Sequence, residues 1–122
     1  EDYASVHLFF KNILAELHLD FFQIPKSRQL KIIGDKGIID CDLINCILKL
    51  YSNKTSKWKI IVSKPLFDFN TIYIDELDHF IDCIKNKKNT INPITIGAEV
   101  LKTVFLIKKS AKEKRMLNYN DL

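Results

Sequence analysis

The sequence predicts an α+β domain: an open, mostly antiparallel β-sheet of about six strands, with two helices packed on one face. Three observations carry that prediction. The first half of the chain alternates apolar and polar residues in six short runs, the period of strands. The second half switches to apolar residues recurring every three or four positions, the period of amphipathic helices. The links between the six runs are too short for the crossovers that parallel neighbours require. Strands followed by helices, rather than strands alternating with them, place the helices together on one side of the sheet.

The run from Tyr3 to Phe22 is the plainest element. It reads as two strands folded back at Lys11-Asn12, so that Phe10 pairs with Ile13, Leu8 with Ala15, Val6 with Leu17 and Ala4 with Leu19. That register puts every apolar residue of both strands on one face, and a slip of one residue would carry a whole strand's apolar set to the other. The same pairing sets His7 across from Glu16 and Ser5 across from His18.

After the turn-prone Pro25-Lys26-Ser27, a third strand is expected over Arg28 to Ile33 and a fourth over Ile38 to Asp42, joined by Gly34-Asp35-Lys36-Gly37. A fifth follows from Cys46 to Tyr51. The sixth, Lys57 to Val62, puts Trp58, Ile60 and Val62 on one face. From about Asn70 to Lys87, the residues Leu77, Phe80, Ile81 and Ile84 form a helical stripe, with Asp75 and Glu76 read as first-turn partners of the helix dipole and His79 as solvated. Pro93 and a Thr95 N-cap announce a second helix ending near Lys114. The tail Met116 to Tyr119 is expected to add a short edge strand.

With 122 residues, 47% of them hydrophobic, the chain suits a single domain over residues 1–122 with a core of its own. The charge of +4 is mild, and its one cluster, Lys108 to Arg115, reads as the solvated, cationic last turns of a helix, so nucleic acid is not the expected partner. No stretch approaches the length of a membrane span and no charged-then-apolar leader opens the chain; a cytoplasmic protein is the expectation. Cys41, Cys46 and Cys83 form no CxxC and no even-numbered framework, which argues against zinc and disulfides and for small buried side chains. Glu1 in place of Met, with a strand starting almost at once, fits a piece of a longer protein.

The chemistry on offer is sparse. With glycine only at 34, 37 and 97, no Gly-rich phosphate loop opens a helix, and no nucleophile elbow is present. His7, Glu16, His18 and Asp20 share the polar face of the hairpin and contain the residue types of a metal or acid–base site. Alternate residues of a strand lie roughly 7 Å apart, so convergence on one ion would need further ligands, and cross-strand polar pairs are the plainer account. Arg28, with its planar fork, suits an anionic ligand or closes the loop before it. The sheet face left without helices carries Phe9, Leu14, Phe22, Ile33 and Ile38 among its polar residues, a pattern of association with a second copy or another domain.

The succession of motifs resembles the C-terminal domain of the Gfo/Idh/MocA oxidoreductases. Glu1-Asp2-Tyr3-Ala4 opens a strand, His18-Leu19-Asp20-Phe21-Phe22-Gln23 follows, then Arg28 through Gly34-Asp35-Lys36-Gly37-Ile38-Ile39 with Asp40 or Asp42. Tyr73 through Ile81 is similar to the family's Y-x-x-E-L-x-x-F helix, and Gly97 to Val104, up to Lys109-Ser110, to its last helix. The resemblance implies a parent dehydrogenase or reductase that uses NAD or NADP and acts on a sugar, inositol or nucleotide-sugar. It implies an N-terminal Rossmann domain carrying the coenzyme, and a C-terminal domain supplying part of the substrate cleft and an open sheet for homo-oligomer contacts. The family's catalytic lysine lies in a Glu-Lys-Pro motif ahead of the matching region; Lys64-Pro65 is preceded by Ser63 and is not that motif. No catalytic, coenzyme or metal residue is therefore expected in this chain, which alone would not turn over. His18, Asp20 and Arg28 are the residues expected near substrate or a subunit contact. The other class left open is a non-enzymatic binding or assembly module of the same α+β layout.

Overall fold

The computed structural model describes residues 2–122, so Glu1, with which the resemblance opens, lies outside the described residues. The fold is α+β, with six antiparallel strands preceding two helices. The chain divides into two compact units, Glu1–Phe69 holding the strands and Asn70–Leu122 holding the helices.

In the first unit, β1 (Tyr3–Phe9) and β2 (Leu14–Asp20) form the hairpin in the expected register, from Ala4↔Leu19 through His7↔Glu16 to Phe9↔Leu14. The Phe10 N–H donates to the Ile13 carbonyl at 2.8 Å and closes the two-residue turn at Lys11-Asn12. Alternation shows in β1, where Ala4, Val6 and Leu8 are half-buried and their neighbours are exposed. The ladder stops at β2. Residues 21–28, with Pro25 lacking an N–H, separate it from a second sheet, a four-stranded meander in the order β3 (Gln29–Gly34), β4 (Gly37–Asp42), β5 (Ile47–Ser52), β6 (Lys57–Ser63).

The register gives this sheet two distinct faces. One carries the rows Leu30–Cys41–Leu48–Val62 and Ile32–Ile39–Leu50–Lys59; the other carries Ile33–Ile38–Tyr51–Trp58 and Lys31–Asp40–Lys49–Ile60. Trp58, Ile60 and Val62 do not share a face as their spacing predicts. Between Leu48↔Val62 and Lys49↔Ile60 the β5–β6 register shifts by one, so Ile61 is the extra residue of a β-bulge. Val62 thereby joins Leu48 while Ile60 and Trp58 join Lys49 and Tyr51.

Gly37 is fixed by its surroundings. It has φ +156°, and a Cβ there would stand 1.9 Å from the Tyr51 carbonyl oxygen on the neighbouring strand.

In the second unit, α1 runs over Asn70–Asn86 and α2 over Ile94–Glu113. Helix α1 ends where Lys87 turns left-handed (φ 51°), with Lys88 N–H donating to Cys83 O and Lys87 N–H to Ile84 O, a Schellman ending on lysine rather than glycine. Because α1 begins at Asn70, Asp75 and Glu76 fall beyond its first turn, which holds no acidic residue, and the first-turn dipole role does not apply to them. Helix α2 is headed by Pro93 in extended conformation, its carbonyl accepting from Ile96 and Gly97, and no side chain caps it; Thr95 lies within the first turn. Lys114, left-handed at φ 54°, terminates it. The tail is not an edge strand. It folds back along α2: the Lys102 ammonium sits 4.0 Å from the Tyr119 ring centre, Lys109 donates to the Asp121 carbonyl, and Ser110 donates to the Arg115 carbonyl. Leu106, on the helix between those two lysines, is buried. Among the described residues no helix is long and apolar enough to cross a membrane.

Candidate functional site

Two of the three residues expected near a substrate come together. His18 and Asp20 project from the same face of β2, with Nε2 3.9 Å from Oδ2, and the Tyr3 ring meets the imidazole edge-on, centres 5.4 Å apart. Cross-strand geometry explains it, since Tyr3 is the partner of Asp20 and so lies diagonally from His18. The other Asp20 oxygen accepts the Phe22 N–H at 2.7 Å, and the Phe21 N–H donates to Asp2 O, so the carboxylate also shapes the exit from the hairpin. Arg28 stands just ahead of β3. Its carbonyl accepts the Leu43 N–H at 2.9 Å, and among the described residues its guanidinium forms no ion pair. His7 and Glu16 are register partners but form no hydrogen bond with each other. The hairpin thus presents an aromatic ring, an imidazole and a carboxylate in a row, able to bind a hydroxylated ligand or a partner's polar edge.

Asp42 has the most specific hydrogen bonding in the first unit. At the turn from β4 to β5, Oδ1 accepts the N–H groups of Ile44 (3.0 Å) and Asn45 (2.9 Å), and Oδ2 accepts the Asn45 side-chain amide (2.7 Å). The Asn45 amide above all, then its backbone N–H and that of Ile44, with Lys49 nearby, hold this carboxyl below its ordinary 3.8. The role is that of a turn former.

In the second unit, His79 is not solvated as its place on the polar side of the helix suggests. It is half-buried, and its Nε2 accepts the Ile91 N–H at 3.1 Å. Cys83, one turn on and buried, lies 3.6 Å from that nitrogen and donates its thiol to the Asn89 carbonyl at 3.5 Å. The cysteine thiol is thereby engaged by the returning chain. Nothing local in the sequence marks His79 and Cys83 as the residues that bind the returning chain. Beside them lies an open cleft of about 760 Å³, lined by Tyr73, Asp75, Glu76, Phe80 and Thr90 among others. Among the described residues no group of three or more His, Cys, Asp or Glu is placed to hold a metal ion.

Neither a protein-family model, nor a curated protein, nor a solved structure matches the chain.

Proposed function

We propose that this chain is the C-terminal, substrate-facing and oligomerising domain of an NAD(P)-dependent oxidoreductase of the Gfo/Idh/MocA type. The observation that carries the reading is the order in which the resembling motifs fall on the elements. His18-Leu19-Asp20 ends β2, Gly34 to Gly37 turns β3 into β4, Tyr73 to Ile81 lies within α1, and Gly97 to Val104 within α2. Unpartnered apolar surface supports it as well. A two-stranded ribbon is marginal by itself in water, yet Phe9, Leu14 and Leu19 of the hairpin are exposed, and so are Ile33 and Trp58 on the sheet.

In the parent enzyme, hydride passes between the nicotinamide and a carbon of a sugar, inositol or nucleotide-sugar, and the coenzyme is gripped by a Rossmann domain of the same polypeptide. His18, Asp20 and Arg28 of this chain face the substrate or the neighbouring subunit. The row Ile33–Ile38–Tyr51–Trp58 is the centre of the homo-oligomer contact.

The coding sequence upstream of Glu1 and the activity of its full product provide the test. A strand, a Gly-rich turn and a helix, then a Glu-Lys-Pro, with sugar-dependent change in nicotinamide absorbance, is the expected result. An upstream region without them, or micromolar NADH binding by residues 1–122 alone, overturns the assignment in favour of a non-enzymatic module or of a different coenzyme site.

A further inference from the structure

The link between the two helices is tied back onto α1 at successive points. Lys88 donates its N–H to Cys83 O and its ammonium to Asp82 (3.2 Å); the Cys83 thiol donates to Asn89 O; the Ile91 N–H donates to His79 Nε2. Two residues later Pro93 heads α2. The chain after α1 therefore runs back down one turn of the helix, from Cys83 to His79, before α2 starts.

These ties differ in how they respond to protons. The backbone bond does not titrate. The Lys88–Asp82 pair and the thiol bond belong to groups that ordinarily keep their protonation states between pH 5 and 8, whereas imidazole is the side chain that ordinarily changes state in that range. An Nε2 that accepts the Ile91 N–H carries no proton, so the ring is the neutral Nδ1–H tautomer. A second proton turns the acceptor into a donor facing another donor, and the bond cannot survive. The protonated ring has somewhere to go. Asp75 and Glu76, four and three residues earlier on α1, line the same cleft, as does Tyr73. Cys83 on α1 also contacts the ring, and Lys88 on the link is held by Asp82.

We propose that His79 is a proton-operated clasp: neutral, it holds the link at Ile91; protonated, it turns to the Asp75 and Glu76 carboxylates and frees the segment leading into α2.

The test uses the full chain. Nitrogen-detected NMR of the ring reports the tautomer, and amide exchange at Ile91, corrected for intrinsic pH dependence, reports the bond. Above its titration His79 is expected as the Nδ1–H tautomer, and as pH falls through it the protection of Ile91 should be lost, with Lys88, held by a backbone carbonyl, changing far less. His79→Gln retains an acceptor that does not titrate, and should leave Ile91 protection level across the same range. An Nε2–H tautomer, protection of Ile91 that stays level as His79 titrates in the unaltered chain, or a Gln variant that loses protection as the parent does, would each overturn the clasp.

Discussion

Asp42 and Asn45 are locked together by two hydrogen bonds, amide to carboxylate at 2.7 Å and backbone N–H to carboxylate at 2.9 Å, across the turn that joins β4 to β5. Both bonds are stronger to the ionised carboxylate than to the neutral acid, which is why they hold this carboxyl below its ordinary 3.8. A depressed folded value means the stabilisation is complete above the unfolded value and is lost as pH falls through the folded one. The urea midpoint should therefore decline as pH drops below about 4, and Asp42→Ala should both lower the midpoint at neutral pH and flatten that part of the profile.

Gly37 has no room for a side chain. Alanine there would place its Cβ 1.9 Å from the Tyr51 carbonyl in a backbone conformation that L residues avoid, so either β4 and β5 separate or the turn refolds. Gly37→Ala should cost about 2 to 3 kcal/mol in denaturant unfolding, while Gly34→Ala, which meets nothing closer than 3.9 Å, should cost less.

Tyr51 and Trp58 form a tilted aromatic pair, centres 5.4 Å apart, at the end of the row proposed as the oligomer contact. Sedimentation equilibrium should show self-association of the chain, and Trp58→Glu should abolish it while far-UV circular dichroism stays unchanged. Association that persists in the variant would remove this row from the interface.

The tail is held on α2 in part by Lys102 over Tyr119. Cation–π contacts at exposed sites are worth about 0.5 to 1 kcal/mol, so Tyr119→Leu and Lys102→Met should each destabilise by about that much. Together they should cost less than their sum, as a double-mutant cycle would report.

What could be read from the residues follows from how many independent constraints met at each place. The hairpin pairing was legible to the residue because two alternating runs and one two-residue turn all demand the same register. The six strands and two helices were legible from their periods. The bulge at Ile61 was hidden inside the apolar run Ile60-Ile61-Val62, where nothing in side-chain character marks one residue as extra. The tail followed the same logic: Met116 to Tyr119 has strand-like composition, but its position is set by Lys102 and Lys109 reaching it from the helix. His79 was misplaced because a histidine between Asp78 and Phe80 looks solvated until the chain returns over it, twelve residues later. The nearness of His18 and Asp20 was legible from alternation alone; the Tyr3 ring against them required the cross-strand diagonal.

The displaced register at Ile61 also bears on how the four-stranded sheet ends. A bulge twists an outer strand and spoils its row of free N–H and C=O groups, and Lys57 and Lys59 add charge to the same strand, so β6 is a poor template for an incoming chain. At the opposite margin β3 has an even ladder and carries Leu30, Ile32 and Ile33, all exposed. Strand addition, whether by a legitimate companion or by runaway fibre growth, is thus directed to one border of the sheet, and a lysine in place of Ile33 would be the simplest guard against it.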